Sequence, residues 1–400
     1  MREVERGVEQ LEADTVEQGL TFLGLVAMMD PPHREVPDAI KKCRRAGVRV
    51  MMITGDHPLT ALAVARKIGL APETIPTEPG HFVPVIEGAH IDTFSDDQLR
   101  QLLTPTTPGE PDPIFARMAP RHKMRIVSAL KEMREVVAVT GDGVNDAPAL
   151  KTADIGIAMG VAGTDVAKET ASMILLDDNF ATIVHAIEEG RAVYTNIRKF
   201  VTYVLASNVP EIVPYLGFGL SSMPLALTIP QILAVDLGTD MVPALALAAE
   251  PPEGGVMDDP PRPRTERLLS WDVILRAYAF LGLIEAGIAM GGFFLYLYSQ
   301  GWSWAAPLDW TSPLYKEATT VTFAGIVAAQ VANVFACRSD RISAFRLGWF
   351  SNPLILVGVA VELTILLVMT YSPVGHLVLG TASLPAWIFG PLALGAMKSP

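Results

Sequence analysis

Thr140-Gly-Asp-Gly-Val-Asn-Asp-Ala-Pro-Ala-Leu-Lys151 follows directly on an apolar run, Val136-Val-Ala-Val139. The run predicts a buried parallel strand ending at Thr140. Two carboxylates, Asp142 and Asp146, stand at its C-terminal edge with Asn145 beside the second. Gly141 and Gly143 let the backbone turn tightly there. Acidic oxygens at the carboxyl end of such a strand are where an α/β fold holds Mg²⁺ for phosphoryl chemistry. An acidic turn that only caps the next helix is the plainer alternative, but capping does not require twelve residues of this composition.

A second unit of the same kind lies upstream. Val48-Arg-Val-Met-Met-Ile53 reads as a strand and ends in Thr54-Gly55-Asp56, and a helix is expected from Pro58, a favoured first helical residue. A hydroxyl and backbone N–H groups at a strand-to-helix turn suit a phosphoryl oxygen. Between the two units, Phe115-Ala-Arg117-Met-Ala-Pro-Arg-His-Lys123 predicts a short strand leading into a helix that carries a cation. Lys123 there would neutralise charge on a transferring phosphate. Taken singly, Lys123 would more often be a solvated surface lysine, and Thr54 a simple cap. The order Thr, then Lys, then paired Asp on successive β-α units is the specific signal.

This order resembles the haloacid dehalogenase superfamily, and the wording resembles its P-type cation-pump branch. Thr54-Gly-Asp56, Thr140-Gly-Asp-Gly-Val-Asn-Asp146, and Ala158-Met-Gly160 through Gly163-Thr-Asp165 carry the likeness. The resemblance implies a Rossmann-like α/β phosphorylation domain that uses Mg²⁺, held by Asp142 and Asp146, with ATP as substrate. Thr54, Gly55, Asp56, Lys123 and Asn145 would serve the phosphoryl group. Asp30-Pro31-Pro32 resembles the hinge joining nucleotide and phosphorylation domains, where the family places an arginine at once. Here His33 intervenes before Arg34. Asp30, Pro31, Arg34 and Arg117 are the implied hinge and nucleotide-side residues.

Half of the 400 residues are hydrophobic and 18% are charged, a membrane protein's balance. Up to about Lys199 the chain is charged and alternates strand and helix patterns; beyond it run long apolar segments. Six spans are predicted, near 197–219, 227–249, 273–298, 318–337, 353–372 and 380–397, each near the roughly 20 residues a bilayer helix needs. Arg262, Arg264 and Arg267 lie between the second and third spans, and Arg338, Arg341 and Arg346 between the fourth and fifth; the other connections hold no Lys or Arg. Positive-inside logic puts the N-terminal domain and both arginine-bearing loops in the cytoplasm, and the chain does not open on a signal peptide. Cys43 and Cys337 form no disulfide framework. A net charge of −12 without basic patches excludes a nucleic-acid binder. The stretch 72–113, rich in Pro, Thr and acids, reads as a loop-bearing insertion.

From Val201 to Ala249 the only charged side chains are Glu211, Asp236 and Asp240. Carboxylates inside spans are costly and mark ion pathways by default. Asp236 and Asp240, four apart, are predicted on one helix face. Pro210, Pro214 and Pro243 free backbone carbonyls that bind cations where they line a cavity. Protonated acids bonding helix to helix are the alternative, strongest for Asp240. Ser207-Asn-Val-Pro-Glu211 and Asp236-Leu-Gly-Thr-Asp-Met-Val-Pro243 resemble the sodium–potassium and gastric proton–potassium pumps more than the calcium pumps. That resemblance implies Asn208, Glu211, Asp236 and Asp240 as cation ligands, with Ser207 and Tyr203 lining the site. The gastric pumps carry lysine where Ser207 stands, and the animal sodium pumps carry aspartate where Asn333 stands. Glu285 and Glu362 are further intramembrane acids.

Three segments follow: 1–29, the end of a nucleotide domain and a hinge strand; 30–195, part of a phosphorylation domain; and 196–400, an all-α transmembrane bundle of six helices. The phosphorylated Asp-Lys-Thr-Gly-Thr motif does not occur in these 400 residues, nor does an actuator loop, a nucleotide domain or the first four spans. The expected function is the C-terminal portion of a multi-pass, plasma-membrane ATP-driven pump for cations, Na⁺ or K⁺ first and Ca²⁺ second. Its partners would be membrane lipid, the transported cations and the missing N-terminal part or a partner subunit, and its phosphoryl chemistry would reach the spans through a helix from about Phe180 to Arg198. A membrane-tethered phosphatase using Asp30, at the end of the apolar run Phe22–Asp30, is a different reading, disfavoured by Pro32 where such phosphatases place a second acid. A non-catalytic regulatory pseudo-pump is the third.

Overall fold

The computed structural model describes residues 21–24, 26, 31–72, 84–105, 111–221, 223–304, 306–339, 341–342 and 344–397. Asp30, the hinge position, and most of the strand predicted before it lie outside the described residues. The chain divides into two compact units, Met1–Ile40 with Met51–Asn179, and Lys41–Val50 with Phe180–Pro400. The division falls at Phe180 rather than near residue 195, because one helix starts there and continues without interruption to Leu220.

The first unit is α/β with parallel pairing throughout. Its elements are α1 (Pro58–Lys67), β1 (Val85–Glu87), α2 (Gly88–Thr93), α3 (Asp96–Leu103), β2 (Ile114–Ala116), α4 (Pro120–Glu132), β3 (Ala138–Gly141), α5 (Ala147–Thr152), β4 (Ile155–Met159), α6 (Asp165–Thr170) and β5 (Met173–Leu175). β1 pairs with β2, and β3-β4-β5 form a separate three-stranded sheet. The predicted strand before Thr54 survives only as a parallel bridge of Ile53 to Phe115, extended by Phe115 N–H to Met52 O and Thr54 N–H to Phe115 O. Pro58 does open α1, with the His57 ring accepting the Leu59 N–H.

Two expectations change. β3 is not buried: among the described residues it pairs on one side only, with β4, so Ala138 and Thr140 stay exposed. The stretch 72–113 also holds more structure than predicted. Ser95 and Gln98 form a reciprocal capping box that starts α3, and Leu99 and Leu103 bury completely beside Ile91, Phe115 and Ile126.

The second unit is helical. α7 (Phe180–Leu220) is 41 residues long and contains Pro210 and Pro214. Among the described residues, four helices are long and apolar enough to cross a membrane: α8 (Ile229–Ala248), α9 (Trp271–Ser299), α10 (Pro313–Ala336) and α11 (Pro353–Tyr371). The first predicted span lies inside α7, where Asn208, Glu211 and two prolines dilute the apolar run. The last, predicted over 380–397, is a helix only over α12 (Ala386–Met397). α10 is the most enclosed of the four, and its Val321, Phe323, Ala324 and Ile326 centre the largest core. Gly282 of α9 lets that helix close on α7: a Cβ there would come within 2.4 Å of the Val209 side chain and 2.9 Å of the Ala206 carbonyl. That carbonyl is the one Pro210 leaves without an intrahelical donor, so it faces α9.

Candidate functional site

In the first unit, the turn after β3 is built around Asp146. Gly141 approaches it so closely that an added Cβ would sit 2.4 Å from the Asp146 Cβ. The buried Asp146 carboxylate takes Lys123 Nζ on Oδ1 at 2.5 Å and the N–H groups of Asp142 and Gly143 on Oδ2 at 3.3 and 3.2 Å. Burial alone would raise its pKa, but the Lys123 ammonium and the two amides outweigh that, and it lies below the ordinary carboxylate range. Lys123 reaches Asp146 because α4 is set at its first turn, where the His122 ring accepts the Ala119 N–H at 3.1 Å and its other nitrogen meets Asp92 at 3.0 Å.

Asp142 and Asn145 are exposed on the same turn, and the Asp142 carbonyl accepts both the N–H and the hydroxyl of Thr164, at 2.8 and 3.2 Å. Thr54 stands at the other sheet, its hydroxyl accepting the Asp56 N–H at 3.1 Å. Arg117, in a left-handed conformation, donates its N–H to the Asp56 carbonyl, and Met118 donates to the Thr54 carbonyl. Pro31 and Arg34 are exposed. Among the described residues no three His, Cys, Asp or Glu converge as a metal-binding group. Of the two acids expected to hold Mg²⁺, Asp142 offers an open carboxylate, which fits a hard cation at its exposed edge. Asp146 is already engaged by Lys123.

The second unit gathers polar side chains where α7, α8, α9, α10 and α11 meet. Asp240 is 5% exposed. It accepts the Ser207 hydroxyl on Oδ2 and Gln330 Nε2 on Oδ1 at 2.5 Å. Gln330 also donates to Ser207 Oγ at 3.1 Å and accepts from Thr239 Oγ1 at 3.0 Å. One turn back on α7, the Tyr203 hydroxyl donates to Glu362 at 3.0 Å, and one turn on along α10, Asn333 donates to Glu285 at 2.8 Å. Glu211 is buried with one oxygen unpartnered, and Asn208 donates to the Val204 carbonyl at 3.1 Å. Asp236 is exposed but lies close enough to Glu211 and Asp240 to act on both. The Asp240 N–H bonds five residues back to Val235 O, a π-type turn whose extra residue breaks α-helical spacing.

A family model described as cation transporting ATPase, C-terminus, matches residues 224–397, and models described as haloacid dehalogenase-like hydrolase match residues 1–154 and 124–187. The chain is 41% identical over 398 residues to the sodium/potassium-transporting ATPase subunit alpha-2 of Gallus gallus, covering 88% of this chain and 38% of that one. It is 40% identical over 395 residues to the subunit alpha of Drosophila melanogaster, with the same two shares, and 39% identical over 415 residues to subunit alpha-3 of Homo sapiens, with shares of 92% and 40%. The chain is similar to the C-terminal part of P-type cation-transporting ATPases. It spans about two fifths of the length of these curated relatives.

Within this chain, the two sites differ in how much the motifs foretold. Lys123 and the Asp142–Asp146 turn come together through Asp146. Gln330 was passed over, although it bonds Asp240, Ser207 and Thr239 at once. The available signal was Gln330 and Asn333 three apart in an apolar helix, and therefore on one face.

Proposed function

We propose that this chain supplies the phosphoryl-stabilising and ion-binding C-terminal part of an ATP-driven pump for monovalent cations, Na⁺ or K⁺. The observation that carries the reading is Asp240, a carboxylate buried among helices that accepts from a hydroxyl and an amide, Ser207 and Gln330, and among the described residues from no lysine or arginine. Such a group in a membrane is costly unless a cation or proton shares it. Oxygen ligands from Asp240, Glu211, Asp236, Asn208 and Ser207, with Tyr203 beside them, suit hard cations and not copper or zinc.

On the phosphoryl side, Asp142 would hold Mg²⁺, and ATP would be the substrate. Bound Mg²⁺ supplies charge stabilisation at the phosphoryl oxygens. Asp146 fixes Lys123, which carries a positive charge toward the same turn, while Thr54 and Asn145 offer a hydroxyl and an amide to phosphoryl oxygens. The pump would lie in the plasma membrane with the first unit in the cytoplasm, alongside the segments that precede this region in its relatives.

The test is ATPase activity of a reconstituted full-length pump. Na⁺ or K⁺ at millimolar levels should change it, and Asp236→Asn should abolish that response. Activation by micromolar Ca²⁺ with indifference to Na⁺ and K⁺ would replace the monovalent assignment with calcium.

A further inference from the structure

Asp178 stands two residues before the start of α7, and three backbone N–H groups bond its carboxylate. Its Oδ1 accepts the N–H groups of Gly160 and Val161 at 2.6 and 3.0 Å, and its Oδ2 accepts that of Ala162 at 2.7 Å. Three successive amides directed at one carboxylate form an anion nest. Asp178 itself sits at φ +50°, a left-handed conformation that costs a non-glycine residue and persists where its surroundings enforce it. The Val161 and Ala162 amides hold its carboxyl below the ordinary range. None of the phosphate motifs includes it.

The nest leads into the phosphate turn. Gly160–Ala162 is followed at once by Gly163 and Thr164, and Thr164 binds the Asp142 carbonyl through both its N–H and its hydroxyl. The same hydroxyl accepts the Ala167 N–H that caps α6. Hydrogen bonds at Gly160–Ala162 and at Thr164, linked by the backbone of Gly163, therefore join the residue at the root of α7 to the backbone of Asp142.

We propose that Asp178 is a positioning residue: by clasping the amides of Gly160, Val161 and Ala162 it holds Thr164 on the Asp142 carbonyl and so sets the direction of the Asp142 carboxylate. The part of this that concerns Mg²⁺ rests on the proposed phosphoryl role of Asp142; the clasp itself does not. Asp178 touches no phosphate. It acts through the loop, as outer-shell partners of metal ligands do, whose loss commonly weakens metal affinity or activity by about 10–100-fold.

Two measurements test it separately. Hydrogen–deuterium exchange on the 400-residue chain in detergent should show Gly160–Ala162 and Thr164 protected. In Asp178→Ala these amides should exchange about tenfold faster or more, with α1 and α4 unchanged, and in Asp178→Asn, which keeps one acceptor oxygen, by less. In the full-length pump, Asp178→Ala should raise the half-saturating Mg²⁺ about tenfold while activity at saturating Mg²⁺ largely returns. Unchanged exchange at 160–164 in both variants overturns the clasp. Faster exchange with a wild-type Mg²⁺ dependence overturns the positioning role. A wild-type pump with no Mg²⁺-dependent activity counts against the proposed function instead, and the exchange result stands apart from it.

Discussion

Arg338 is completely buried and turns its guanidinium onto one oxygen of Glu250, with Nη2 at 2.6 Å and Nε at 3.0 Å. The other Glu250 oxygen accepts Asn352 Nδ2 at 2.6 Å, and Arg338 also donates to the Gly348 carbonyl and the Ser351 hydroxyl. Residues next to the ends of α8 and α10 and to the start of α11 are thus tied at one point. Removing one member leaves the other charged and buried, at a typical cost of about 3–5 kcal/mol. Glu250→Ala should therefore lower the thermal midpoint of the detergent-solubilised chain markedly, while Glu250→Leu with Arg338→Met should recover most of the loss. A Glu250→Ala protein that melts like wild type would mean the pair does not hold these ends together.

Lys123 and Asp146 give a second expected outcome, in the pump's chemistry. Lys123→Ala should slow phosphoryl transfer by about 10²–10³-fold, the typical effect of losing one preorganised charge. The pair also has a pH signature. The folded pKa of Asp146 is depressed, so its contribution to stability is complete above the ordinary aspartate value of about 3.9 and disappears as pH falls through the lower folded value. Lys123→Ala should shrink that acid-side dependence in equilibrium unfolding followed between neutral pH and about pH 3. An unchanged acid profile would show that the two groups do not interact as their 2.5 Å separation indicates.

What was legible in the sequence, and what was not, divides by distance along the chain. Strand, turn and helix around Thr54, Lys123 and Asp142 are local patterns of glycine, proline and apolar residues, and they form close to where those residues put them. Partnerships across the chain left no such mark. Arg338 read as a loop charge because its partner lies 88 positions away. That Lys123 reaches Asp146, 23 residues on, likewise left no local mark. α3 was hidden in a stretch whose prolines, threonines and acids suggest loop, and only the burial of Leu99 and Leu103 makes it a helix of the core.

Gly141 tests whether the geometry of the phosphate turn matters beyond its charges. An alanine there would place its Cβ 2.4 Å from the Asp146 Cβ and 2.8 Å from its Cγ, distances that require Asp146 to move. Overpacking of this kind costs about 1–3 kcal/mol. The expected result is a protein that keeps its circular dichroism but loses phosphoryl transfer nearly as far as Lys123→Ala does. Wild-type phosphorylation kinetics in Gly141→Ala would show that the turn tolerates a displaced Asp146.

Gln330 offers the sharpest test of the intramembrane site, because no charge is changed. Its amide nitrogen donates to Asp240 and Ser207, and its oxygen accepts from Thr239. Hydrogen bonds to charged groups are worth about 1.5–3 kcal/mol, so losing this orientation should weaken cation binding about tenfold or more. Gln330→Ala in the full-length pump should therefore raise the half-activating Na⁺ or K⁺ concentration by that factor, with maximal turnover at saturating cation reduced less. Asp240→Asn should instead remove the cation response, since it takes away the charge that the amide only orients. If Gln330→Ala leaves the half-activating concentration at its wild-type value while Asp240→Asn does not, the amide packs the helices without shaping the ion site.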